Sequence, residues 1–205
     1  MSKKGFIVSL VSVLAFVCNA FAQEVHTDWY DVDSVVVYQT VDIADYQAIV
    51  LLPIGESGLE FSGNDDELAA MRKAIDEFRD LIKIQFNNSF PHLDVIIADA
   101  VPSDVPQNTL VMKMDIPDFG QGSRAARAWG GFGAGAQHTD LCGECLTATN
   151  EKVFWFTQHR ANSAMGQLSN KYYNVMVRTE RVLGNDICNI FNAMAGSKPS
   201  RAKKR

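Results

Sequence analysis

Residues 137–158 read QHTDLCGECLTATNEKVFWFTQ. Two strand-like runs, Gln137 to Ala148 and Lys152 to Gln158, flank the polar break Thr149-Asn150-Glu151. This is the pattern of two antiparallel strands joined by a tight turn. Side chains alternate along a strand, so Leu141, Gly143 and Cys145 form one row, while Asp140, Cys142 and Glu144 form a more polar one. The first row requires an apolar cover, and that requirement organises the rest of the chain.

Two helical patterns supply the cover. Asn64 is a capping residue, Asp65 and Asp66 suit the positive end of the helix dipole, and Glu67 holds the capping-box position. Leu68, Met71, Ile75, Phe78 and Ile82 then recur at spacings of three and four, up to a stop near Phe90 before Pro91. A second helix is expected from about Lys171 to Ala195. Its inward face would be Tyr172, Val175, Thr179 and Val182, then Ile187, Ile190, Phe191 and Met194, with a kink or break at Gly184-Asn185. Further strands are expected at Ser34–Thr40, Gln47–Ile54, Leu93–Ala98 and Leu110–Ile116. The order β-β-α-β-β-loop-β-β-α describes a single α+β domain, with two long helices on a mixed or mainly antiparallel sheet.

The ends of the chain read differently. MSKKGFIVSLVSVLAFVCNAFA opens with two lysines, continues with an apolar run from Phe6 to Val17 and closes on Ala20-Phe21-Ala22. These are the parts of a cleaved secretory signal over residues 1–22, leaving Gln23 as the new N-terminus. Lipidation at Cys18 is the rival reading, opposed by the bulky Phe16 and Val17. Residues 23–33 are expected to be an irregular acidic lead-in, residues 34–195 the domain, and residues 196–205 a basic disordered tail.

Charge excludes one class of partner. Removal of Lys3 and Lys4 with the leader takes the formal net charge from −5 to −7, and setting aside Lys198, Arg201, Lys203, Lys204 and Arg205 leaves the body at about −12. Such a body is a poor general nucleic-acid binder. Membrane association is expected to be peripheral at most, because no later stretch reaches the roughly 20 apolar residues of a span.

The segment GSRAARAWGGFGAG, residues 122–135, imitates a dinucleotide loop at Gly131-x-Gly133-x-x-Ala136, but it neither follows a buried strand nor opens a helix. Its glycines permit close backbone approach, Arg124 and Arg127 lie three apart, and Trp129 and Phe132 offer flat apolar surface. Arg124, Arg127, Trp129, Gly131, Phe132 and Gly133 are therefore candidate binding residues for an anion or an acidic partner. A purely structural crossover is the alternative.

This segment, together with the downstream Thr147-Ala148-Thr149-Asn150 turn and the strand Lys152–Gln158, resembles the DUF4410 family of bacterial envelope proteins. Threonine and asparagine stand here where the family's turn carries aspartate and glycine. The resemblance covers residues 45–195. It implies an exported or lipid-anchored protein and no catalytic residues.

Four cysteines and four histidines raise the remaining chemistry. His138, Cys142, Cys145 and Cys188 form an alternative zinc set, and Cys142-x-x-Cys145 has redox spacing, though it lies in a strand rather than at a helix start. Opposite faces for Cys142 and Cys145 make Cys145–Cys188 the expected disulfide, tying sheet to helix, and leave Cys142 as an outward free thiol. No catalytic residue or cofactor is assigned. The expected function is a non-enzymatic envelope protein, periplasmic or associated with the outer membrane, that binds or scaffolds an unknown component. A thiol- or metal-dependent protein and a membrane-surface module using the glycine-aromatic segment and basic tail are the alternatives.

Overall fold

The computed structural model describes residues 24–27, 32–57, 65–120, 137–162 and 172–196. Its strands are β1 (Glu24–His26), β2 (Ser34–Val37), β3 (Ala48–Gly55), β4 (Asp94–Ile97), β5 (Thr109–Gly120), β6 (Gln137–Thr147) and β7 (Lys152–Asn162). Helix α1 spans Asp65–Ser89 and helix α2 spans Tyr172–Met194. A 3-10 turn, Ile43–Asp45, is capped by the Asp42 side chain and leads into β3.

The strands form one mixed sheet in the order β1-β2-β7-β6-β5-β3-β4. β3 pairs in parallel with both β4 and β5, while the other neighbours are antiparallel. β3-α1-β4 is thus a crossover unit, and the hairpin β6-β7 occupies the middle of the sheet. The lead-in is not wholly irregular. Val25 pairs with Val36, so β1 is an edge strand on β2.

Both helices cover one face of the sheet. Phe78, Ile82 and Phe86 of α1 and Leu183, Ile187, Ile190 and Phe191 of α2 share a core with Ile49, Leu51, Leu110, Met112, Leu141, Phe154 and Phe156. Phe191 meets Phe154, Phe86 and Phe90 edge-on, with ring centroids 5.2, 5.7 and 6.1 Å apart, the tilted geometry that the ring quadrupoles favour. A forked ion pair adds a polar tie: Arg160 of β7 donates from Nε at 3.0 Å and from a terminal guanidinium nitrogen at 2.7 Å to Oδ2 of the buried Asp186 on α2.

The second helix differs from its expected form. It runs through Gly184 without a break, and Val182 is 43% exposed while Leu183 is buried. The reason is close approach. A Cβ on Gly184 would lie 3.3 Å from Cγ of Gln85 and 3.5 Å from Cα of Ile82. Glycine therefore serves the helix–helix contact, and an unbroken helix puts residues 180, 183, 187, 190 and 194 on one stripe. Gly184 against Ile82 and Gln85, and Phe191 against Phe86 and Phe90, show the two helices running parallel.

Candidate functional site

The β6-β7 turn closes as the local chemistry dictates. Asn150 takes φ 66°, a left-handed conformation that asparagine tolerates better than other non-glycine residues. Its N–H donates to the Thr147 carbonyl at 2.9 Å, and Glu151 N–H donates to Oγ1 of Thr147 at 3.1 Å. From this turn β6 runs unbroken through Gly143, with Cys145 opposite Met112 and Cys142 opposite Asp115.

At the far end of the hairpin, on the face away from the helices, four ionisable side chains meet. His159 stands opposite Asp140 across β6-β7, and its Nδ1 bonds the Asp140 carboxylate. His138 Nε2 lies 3.1 Å from Oδ2 of Asp118. The two imidazoles stack, with centroids 5.7 Å apart and planes 28° apart. Asp33 joins from the chain entering β2, its Oδ2 accepting the His159 backbone N–H at 2.5 Å. The side chains of His138 and His159 are 34% and 53% exposed. The array is an open surface.

A bulge in β5 puts Asp118 there. Asp115 pairs with Cys142 and Asp118 with Asp140, so two residues, Ile116 and Pro117, oppose Leu141 alone. Proline has no N–H for the ladder and is accommodated where pairing is interrupted. Without the extra residue, strict alternation would turn Asp118 towards the helices. Asp118 also lies beyond the strand expected at Leu110–Ile116, so periodicity assigns it no face. The polar row of β6 includes Asp140, while sequence spacing offers His138 only as a metal ligand.

The cysteines divide between two faces and two layers. Cys145 is fully buried in the helix-side core, and Cys142 is half-buried on the opposite face. The expected Cys145–Cys188 disulfide is not formed: Cys142, Cys145 and Cys188 are all free. Cys188 lies on the α1 side of α2, beside Ser89, and Phe191 rather than Cys188 is the α2 residue packed on Phe154 of the sheet. Burial pushes the Cys188 thiol up to about 12 and the Cys145 thiol well above its ordinary value. Burial and then the neighbouring Asp115 raise Cys142 too. None of the three is an activated thiolate. The alternative zinc set fails for the same geometric reason, since His138 and Cys142 lie on one face of the sheet and Cys145 on the other. No group of three or more potential ligands gathers to hold a metal among the described residues.

Arg124, Arg127, Trp129, Gly131, Phe132 and Gly133 lie outside the described residues. The strands on either side of them are placed: Gly120, the last residue of β5, pairs with His138 near the start of β6. Gly120 and His138, the placed residues on either side, thus lie at the histidine array.

A further ionisable group lies buried between the helices. Glu180 is 4% exposed, and its Oε2 has no hydrogen-bond partner among the described residues. Burial, with Glu77 adding to it, raises its carboxyl to about 8.

A mixed seven-stranded sheet under two parallel helices, with an ionisable array on the open face, defines a layered α+β domain. The chain belongs to the family described as "Domain of unknown function (DUF4410)", whose model matches residues 35–166. No curated protein matches the chain significantly. Among solved structures it is similar to the PelC dodecamer from Paraburkholderia phytofirmans, at 12% identity and a TM-score of 0.44, over 74% of this chain and 96% of that one. A point variant of PelC from the same organism is similar at 11% identity and a TM-score of 0.41, over 70% of this chain and 87% of that one.

Proposed function

We propose that the protein is a non-enzymatic component of the bacterial cell envelope, exported to the periplasm or the outer-membrane surface, where it binds or scaffolds another envelope component. The observation that carries this reading is the stacked His138–His159 pair with Asp118 and Asp140, set on the helix-free face and open to solvent. Such an array recognises a partner surface more readily than it encloses a small substrate. The signal-like sequence at residues 1–22 supports the location. No helix among the described residues is long and apolar enough to cross a membrane.

Capture from native envelope extract tests this reading. The wild-type chain is expected to retain a specific component that the double variant His138→Ala, His159→Ala loses while keeping its fold. Equal capture by both chains removes the array from the function. Flotation of the chain with liposomes in place of protein capture would favour membrane-surface association instead.

A further inference from the structure

At the opposite end of β6 from the histidine array, a cavity of 560 Å³ opens between the segment preceding β3, the start of β5 and the β6-β7 turn. Asp42, Asp45, Tyr46, Asn108 and Gln39 are among its walls, and none of the lining residues is basic. The amide nitrogens of Asn108 and Gln39 each donate to a backbone carbonyl. Asn108 Nδ2 donates to the Asp45 carbonyl at 3.2 Å, and Gln39 Nε2 donates to the Lys152 carbonyl at 3.1 Å. Their amide oxygens are the unspent groups. Asp42 uses Oδ1 to cap Ala44 N–H at 2.9 Å, leaving Oδ2. The Asp45 carboxylate makes no hydrogen bond or ion pair among the described residues.

The cavity is thus negative and offers several unspent acceptors, with one aromatic ring in its wall. The Tyr46 phenol reports the same field: burial holds it above its ordinary value, and Cys145, Asp45 and Glu151 add in the same sense. A ligand matching these walls brings several N–H donors and a positive charge, which a guanidinium or ammonium group does, and the ring adds a cation–π contact. We propose that this cavity binds a guanidinium or primary ammonium group carried by a polypeptide side chain. Two sources share that chemistry. One is the basic run Lys198, Arg201, Lys203, Lys204 and Arg205, which follows α2; α2 reaches this end of the sheet, where Phe191 packs on Phe154 and Phe90. The other is an arginine or lysine of a different protein.

Titration of the full chain with N-acetyl-arginine amide and N-acetyl-lysine amide, followed by amide NMR shifts, tests the site. Saturable shifts are expected at Ala44, Tyr46 and Asn108, with none from the neutral N-acetyl-glutamine amide. The double variant Asp42→Asn, Asp45→Asn is expected to bind the cations at least about tenfold more weakly, as is the wild type in high salt. Asp45→Asn alone covers the case in which loss of the Asp42 cap impairs folding. Replacing the five basic residues after α2 with serine separates the sources: tighter probe binding identifies the chain's own tail as occupant, and unchanged binding identifies another protein. Absence of saturable shifts, equal response to the neutral amide, or unchanged affinity in Asp45→Asn overturns the proposal.

Discussion

His159 is held from both sides of β7: its imidazole Nδ1 bonds the Asp140 carboxylate on β6, and its backbone N–H donates to the Asp33 carboxylate beside β2. One residue thereby links three strands at this end of the sheet. Because the side chain is 53% exposed, its ion pair contributes little to stability. His159→Ala is expected to change stability by less than about 1 kcal/mol while weakening partner capture; a large drop in melting temperature would instead make the residue structural.

Glu180 gives stability a pH dependence. Its carboxyl is raised from an ordinary 4.5 to about 8 in the folded chain, so between those values the native state holds a proton that the unfolded chain releases. Stability therefore falls as pH rises through this window and levels off above it, with a total effect on the order of 5 kcal/mol. Glu180→Gln is expected to flatten the slope and raise the melting temperature at pH 8–9. Denaturant unfolding across pH 4–9 measures both.

Gly143 is required by its neighbours. A Cβ there would approach the Lys113 carbonyl oxygen and Cε1 of Phe156 to 2.8 Å each. Gly143→Ala is expected to cost about 1–3 kcal/mol, the usual range for overpacking a core. An unchanged urea midpoint would show that the β5-β6 pair yields without penalty.

At the hairpin turn, Asn150 holds φ 66°. Asn150→Gly is expected to be neutral or slightly stabilising, whereas Asn150→Val should cost about 1–3 kcal/mol for the strained backbone. Thermal unfolding of the two variants side by side gives the difference and its sign.

Thiol accessibility distinguishes the three cysteines. Native protein is expected to be alkylated at Cys142 first, with Cys145 and Cys188 protected until denaturant is added, as their burial dictates. Peptide mapping without reduction should recover all three as free thiols. A Cys145–Cys188 link would require α2 to rotate away from Ser89.

Periodicity alone carried the α+β class, both helices, the hairpin at residues 137–158 and the opposite facing of Cys142 and Cys145, because alternation and the 3.6-residue repeat are local properties of the chain. The parallel pairing of β3 with β4 and β5 was not local, nor was the edge strand Glu24–His26, whose three residues carry too little pattern to read. Gly184 looked like a break because glycine weakens an isolated helix; only the approach of Gln85 and Ile82 shows that it makes room for a neighbour. The same approach turns Cys188 to α1 and leaves the sheet to Phe191, removing the expected disulfide. The histidine array divides along this line. Asp140 lies on a polar row visible in sequence, but His159 falls beyond the strand expected at Lys152–Gln158, Asp118 reaches the array through a bulge at Ile116–Pro117, and His138 meets His159 through strand register. Sequence determines which residues a strand offers to each face; only the packed sheet decides which of them meet, because register and bulges are fixed by contacts between segments distant in the chain.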